Sequence, residues 1–458
     1  MKKILLSLLA VALIAMPAYA SVQNIKVSGD VESTYLYRNN FDLGYNTQSS
    51  DEYQSLFITH TRLRVDADLT DNVAATVALI NERVWTVTTQ ANSDIDLNLA
   101  YVTLREMLYS PLTVVVGRQD FRYGNSLIID SAGPNNGANT DSALNTIAED
   151  MSKQSAFDAI RAILDYNPLT VEMAWVELNP GHTGLATTEL DKRLYGINAT
   201  YEFGDEMDSV VEAYIWKQVD KSGQGGLGDK ADIILVKGLR GSINPIDRLN
   251  LQLEWAMQTG NKEVSSSVFR KRRAHIVQAL ASYQLPLLEE YKPVAMYAFT
   301  KATGDTSNST DSGYYTGWDP LYENQAGGKI YNTLFPMTNF IIHEFSLSAV
   351  PFEDITAQLS LSGLWLEREY DTDNDSALVI QSPDQNLSAS GNGNNLDTKA
   401  DATMLGKEFD IKLTYDYTED VQLGANIGWF WPGSVFRISD SENRNQAKQF
   451  LLNCLVKF

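Results

Sequence analysis

Period-two alternation of apolar and polar side chains, repeated along nearly the whole chain and broken by turn residues, restricts the fold more than any other feature of this sequence. From Leu249 the apolar positions are Leu249, Leu251, Leu253 and Trp255, against Asn250, Gln252 and Glu254. From Phe409 they are Phe409, Ile411, Leu413, Tyr415 and Tyr417, against Glu408, Asp410, Lys412, Thr414 and Asp416. From Val421 they are Val421, Leu423, Ala425, Ile427 and Trp429, against Gln422, Gly424, Asn426 and Gly428. In an extended chain successive side chains face opposite sides, so each segment presents one apolar and one polar face. About eighteen such strands are predicted. They begin near Ile25, Ser55, Val73, Asp94, Leu112, Ser155, Thr170, Lys192, Asp208, Ala231, Leu249, Arg270, Tyr291, Phe340, Ile355, Thr403, Val421 and Ala447.

A soluble sandwich would alternate too, but two features favour a transmembrane antiparallel β-barrel. Aromatics cluster near the ends of the apolar faces (Trp255, Tyr415, Tyr417, Trp429, Phe450, Phe458), as interfacial girdles do. The connections are expected to alternate strictly: tight after even-numbered strands, as at Thr70-Asp71-Asn72 and Thr418-Glu419-Asp420, and long after odd-numbered ones, as at 38–54, 123–154 and 304–339. Short periplasmic turns and long extracellular loops are the pattern of an outer-membrane barrel. An even strand count returns both termini to the same rim.

The predicted address agrees. Residues 1–20 carry Lys2 and Lys3, an apolar run to about Met16, and Ala18-Tyr19-Ala20, which reads as a Sec-type signal peptide preceding a barrel over 21–458. No later run of about eighteen apolar residues is present, so helical spans are not expected. The formal charge is -22, or -24 without Lys2 and Lys3 (34 basic against 58 acidic residues), which speaks against a nucleic-acid partner. Cys454 is the single cysteine, so no internal disulfide can form. The four histidines have no ligand spacing, and neither a metal nor a cofactor is expected.

Charge position then assigns the lumen, because Arg or Lys facing lipid at mid-bilayer costs about 2–4 kcal/mol. In the second strand His60, Arg62, Arg64, Asp66 and Asp68 alternate with Thr61, Leu63, Val65, Ala67 and Leu69, placing the arginines inward. Arg83, Arg105, Arg118 with Arg122, and Arg161 with Asp158 or Asp165 extend a basic patch over neighbouring strands. Arg118, Asp120 and Arg122 share one face if the chain stays extended. Two readings of the patch stand side by side: a structural ladder neutralised by Asp66, Asp68 and Asp120, or a path for carboxylate-bearing solutes matched by the planar guanidinium fork.

Arg62-Leu63-Arg64, Asn81-Glu82-Arg83-Val84-Trp85 and Gly117-Arg118-Gln119 followed by Phe121-Arg122 resemble the alginate-export family of outer-membrane porins. Gly304-Asp305, Trp318-Asp319-Pro320-Leu321-Tyr322, Gly406-Lys407-Glu408-Phe409-Asp410 and Pro432-Gly433 are similar to it as well. The resemblance implies an eighteen-stranded barrel in the outer membrane of a Gram-negative-type bacterium, passing a polyuronate through an arginine-lined pore, with a loop over or in the lumen. It makes Arg118 and Arg122 constriction candidates, with Arg62, Arg64 and Arg83 as neighbours.

The expected function is therefore a passive channel for anionic or polar oligo- or polysaccharides, lined by Arg62, Arg64, Arg83, Arg118, Asp120, Arg122 and Arg161. The alternatives are a general or small-anion porin and an outer-membrane enzyme barrel. The enzyme is disfavoured because His60 sits among arginines and no nucleophile, base and acid share a motif. Expected partners are outer-membrane lipid, the carbohydrate, the barrel-insertion machinery reading the terminal Phe458, and periplasmic export partners. The 123–154 segment reads equally as a constriction loop or as an external one. Asp371-Thr372-Asp373-Asn374-Asp375 starts like a calcium loop but has Ser376 and Ser382 where Gly and Glu belong, and is expected to be a solvated acidic loop.

Overall fold

The structure is a computed structural model that describes residues 23–41, 43, 53–86, 94–132, 148–179, 192–221, 231–265, 268–305, 313–325, 329–369, 378–379, 395–396, 402–436 and 445–458. The predicted leader and the 371–375 acidic run lie outside the described residues.

Eighteen long strands form the wall. They are β1 (Asn24–Asn39), β2 (Tyr53–Thr70), β3 (Val73–Val84), β4 (Asp96–Leu104), β5 (Leu112–Gln119), β6 (Phe157–Asp165), β7 (Leu169–Asn179), β8 (Lys192–Glu202) and β9 (Val210–Asp220). They continue as β10 (Asp232–Ile246), β11 (Leu249–Ser265), β12 (Val268–Gln284), β13 (Val294–Ala302), β14 (Phe340–Phe352), β15 (Ile355–Leu366), β16 (Met404–Asp416), β17 (Val421–Pro432) and β18 (Ala447–Lys457). Each starts within three residues of its predicted position. Every neighbour pairing in the wall is antiparallel, and β18 pairs with β1 from Asp30 opposite Lys457 to Asn39 opposite Lys448, closing the sheet. Gly29 and the terminal Phe458 complete the seam with backbone hydrogen bonds of 2.9 and 3.0 Å. Closure satisfies the backbone groups that an open edge would leave bare in hydrocarbon. No described helix is long and apolar enough to cross a membrane.

The two faces follow from parity. In β9, Val211, Ala213, Ile215 and Lys217 are exposed, while Glu212, Tyr214, Trp216 and Gln218 are buried. The exposed set faces outward, since mid-strand residues such as Phe345 (59 % exposed) and Leu361 (52 % exposed) would otherwise waste large apolar side chains. The polar pair on that outer face satisfies itself: the Tyr297 hydroxyl and His343 Nδ1 are 2.8 Å apart. Cys454 is exposed on this face too.

Strict alternation of short and long connections does not hold. β11 and β12 are each 17 residues long and are joined through residues 266–267 only. The strands run on past the rim, so here the extracellular projection is ladder instead of loop.

Candidate functional site

A barrel of this strand number encloses more space than side chains alone can fill. In this chain the half of the lumen nearest the long loops is filled by chain folded inward. Wall residues Trp216, Val236, Ile276, Ile342, Leu364 and Phe430 meet loop residues Phe121, Leu127, Ile129, Trp318, Tyr322, Leu334, Phe335 and Val435 in one buried apolar cluster. Ring contacts tie loop to wall: Tyr123 to Trp216 at 5.1 Å, Tyr322 to Phe157 at 5.3 Å and Phe335 to Phe430 at 5.7 Å between centroids.

Three segments build this layer. Residues 121–131 turn back on themselves, with Tyr123 N–H donating to Ile129 and Ser131 N–H to Phe121. Gly124 adopts φ +53° at the tip, where a Cβ would meet Arg240 Cδ at 3.0 Å, so glycine lets the turn press on the wall. Residues 318–325 lie alongside, through Asp130 N–H to Tyr322 and Tyr322 N–H to Ile128. The short helix α1 (Ile330–Leu334) is held at its start by Glu408, whose carboxylate accepts the Ile330 and Tyr331 N–H groups at 2.7 Å each. Lys329 forms an ion pair with Glu344 of β14. The other end of the 123–154 segment also runs along the inner wall: Glu82 accepts from Ser152 Oγ at 2.9 Å and Lys153 N at 2.6 Å. Arg38 donates to Asp150 and, at 2.8 Å, to Gln449. Both described ends of that segment are thus inside the barrel.

Arg62 and Arg64 face the lumen as expected. Arg62 is paired with Asp30 at 2.8 Å, and Arg64 with Asp66 at 2.8 Å, while Thr76 also donates to Asp66. His60 faces the lumen beside Glu82 at 3.5 Å. Arg161 also points inward, but its carboxylate is Glu172 at 3.8 Å, not Asp158 or Asp165, and its guanidinium lies over the Phe121 ring.

Arg83 and Arg118 do not line the pore. In β3 the buried set is Thr76, Ala78, Ile80, Glu82 and Val84, which leaves Arg83 on the outer face with Val77 and Leu79. In β5 the buried residues are Val115 and Gln119, so Arg118 shares the outer face with Val116. There it donates to the Leu97 carbonyl at 2.9 Å and to Asp158 at 3.3 Å. Both sit next to the long-loop rim, where an outward cation costs about 0–1 kcal/mol, so charge alone does not identify the inner face. The shared face expected for Arg118, Asp120 and Arg122 fails because β5 ends at Gln119 and the chain then turns inward. Asp120 is exposed and pairs with neither arginine among the described residues.

The motif residues that act inside are its two quieter ones. Gly117 takes φ +125°, with space for no Cβ against the Ala100 carbonyl (2.2 Å), and buried Gln119 donates to the Val115, Gly117 and Ala159 carbonyls.

Arg122 ends in a different place. It is exposed and lines a cavity of about 470 Å3 between the loop layer and β12–β14, with Asn125, Gln278, Met296, Gln325, Lys329 and Glu344. It makes no ion pair with any described residue. By contrast Arg240 has Glu212 at 3.4 Å, Arg270 has Asp305 at 2.7 Å and Arg272 has Asp232 at 2.7 Å. Sequence reading missed these wall arginines and their acids. Parity marks Arg240, in phase with inward Val236, but the basic run Arg270-Lys271-Arg272-Arg273 carries no alternation of charge to read.

Comparison with known proteins adds the lineage. The family model described as alginate export matches residues 23–450. The chain belongs to the alginate export family. No curated protein matches it. Among solved structures, Pseudomonas aeruginosa OccK2 (OpdF) superposes with a TM-score of 0.57 at 11% identity, covering 95% of this chain and 98% of that one. The outer membrane protein opdK of the same organism gives 0.56 at 11% identity, covering 95% and 99%. OccK2 in complex with glucuronate gives 0.54 at 11% identity, covering 95% and 99%. At such identities the likeness establishes the fold alone. This member of the alginate export family thus has the wall of an outer-membrane porin.

Proposed function

We propose that this member of the alginate export family is a passive channel selective for small carboxylate-bearing solutes of sugar-acid size, with Arg122 as the cation they meet in the constriction. The observation that carries the reading is the contrast at Arg122. It stands exposed on the cavity without a carboxylate partner among the described residues, while Arg38, Arg62, Arg64, Arg161, Arg240, Arg270 and Arg272 are each matched by one. A paired guanidinium attracts a passing anion weakly; an unpaired one offers its full charge and a planar fork. The cavity lies within the usual range of small-molecule sites. The solved relative whose complex holds glucuronate supports the same class of solute.

A second reading, passage of a polyuronate chain, is favoured by the family match over 23–450. The two differ in what obstructs the current. In planar bilayers under a salt gradient, the mature chain is expected to prefer anions, and Arg122→Glu to move the reversal potential toward cation preference. An unchanged potential would remove Arg122 from the path. Block of the current by glucuronate favours the first reading, and block by polyuronate alone the second.

A further inference from the structure

The outward cations form a second charge system. Every Lys or Arg on the outer face of a described strand lies in the half of that strand nearer the long loops, and none lies toward the short turns. Within that group Lys217, Lys237, Lys271, Arg273, Lys407 and Lys448 are exposed and form no ion pair with any described residue. In a chain with formal charge -22, where nearly every described lumen arginine has a carboxylate, six cations on one band without a carboxylate among the described residues point to an anion outside the protein.

Register places aromatic neighbours beside the band. Tyr195 of β8 is the direct cross-strand partner of Lys217 in β9, and Trp175 of β7 is the partner of Tyr195. On the opposite wall Lys448 is paired with Trp429, and Lys407 with Trp431. Exposed Trp and Tyr mark the level where hydrocarbon gives way to headgroups. The cations therefore sit among the headgroups, where a long stem lies along apolar surface and the charge reaches up to water. The carboxylates of the turns, such as Asp71, Asp205, Glu353 and Asp420, lie at the other rim and are too far away to serve.

We propose that this band binds the phosphate groups of lipids in the leaflet on the long-loop side, so that phosphorylated saccharolipid forms a shell around that rim. Lys271 and Arg273 stand on the extended β11–β12 hairpin, above the level where β13 begins to pair at Ile276.

The test uses the full mature chain in detergent, with native mass spectrometry against lipid A carrying two phosphates and lipid A with both removed. The phosphorylated form should be held at least about tenfold more tightly, each basic residue near an anionic surface contributing on the order of 1 kcal/mol. The combined variant Lys217→Gln, Lys237→Gln, Lys271→Gln and Arg273→Gln should lose most of that preference while remaining heat-modifiable on a gel. Equal retention of the two lipids by the unaltered chain overturns the proposal, as does a folded variant that keeps the preference. Should the variant fail to fold, the two-lipid comparison on the unaltered chain decides, and its preference must also weaken as salt is raised.

Discussion

Arg240 and Lys237 belong to the same strand, three residues apart, and meet opposite treatment. Arg240 points inward and donates to Asn125 at 3.2 Å and Gln252 at 2.9 Å, with Glu212 at 3.4 Å. Lys237 points outward, exposed, with no charged partner among the described residues. The inner face is crowded with folded loop, so a guanidinium there is desolvated and destabilising unless a carboxylate and neutral acceptors surround it. The outer face near the rim borders headgroups and water, where a lone ammonium stays hydrated. The enclosed arginines inside this barrel are therefore paired, and the exposed Arg122, unpaired among the described residues, lies where enclosure gives way to open cavity.

The strongest way to break that comparison is to remove an enclosed cation. Arg38 is 1 % exposed and binds the inward loop through Asp150 and the wall through Gln449. Arg38→Ala should cost on the order of 3–5 kcal/mol, because Asp150 loses its guanidinium partner and Gln449 the hydrogen bond from Arg38. The readout is a lower heat-modification midpoint; an unchanged midpoint would show that enclosure does not make these pairs matter. A step smaller is the acid side of the same rule. Glu323 lies in the loop layer without a cation among the described residues, accepting from the Gln325 N–H at 2.7 Å. Burial, reinforced by Asp130, pushes its pKa up to about 7. A raised carboxyl pKa means the folded state holds the proton more tightly. Its stabilisation is complete below the ordinary glutamate value and is lost as pH rises toward 7, by up to roughly 3 kcal/mol. The loop layer should loosen over that window, seen as noisier single-channel current at pH 8 than at pH 5, and Glu323→Gln should flatten the difference.

How far the sequence carries the structure depends on which physical signal each residue obeys. Strand starts such as Leu249 and Val421 were legible because period-two alternation is enforced by lipid on one side and water on the other. Arg62 and Arg64 were legible for the same reason, lying deep enough in the wall that an outward position would be costly. Arg83 and Arg118 were misplaced because near the rim that cost vanishes and either face accepts a cation. The inward loop layer left no periodic trace. Phe121, Trp318 and Phe335 are irregularly spaced, and nothing in their order distinguishes an apolar loop folded inward from one packed outside. The β11–β12 extension was hidden by a similar weakness: from the headgroup level upward, alternation between Asn261 and Lys262 no longer separates hydrocarbon from water.

The weakest perturbation tests the outer half of the comparison. Arg118 is 22 % exposed and its partner Asp158 is 59 % exposed, so water and headgroups already screen the pair. Arg118→Gln should then shift the heat-modification midpoint by no more than about 1 kcal/mol of stability, the usual ceiling for an exposed ion pair. It should also leave the reversal potential untouched, in contrast to Arg122→Glu four residues later. A selectivity change on substituting Arg118 would mean that the field of an outward cation reaches the conduction path through the wall. The Gly117-Arg118-Gln119 run would then act on both sides of the barrel at once. With no change, its role is mechanical: Gly117 permits the close approach to Ala100, Gln119 ties three carbonyls together, and Arg118 fastens β5 to β6 at the rim where the chain turns inward to deliver Arg122.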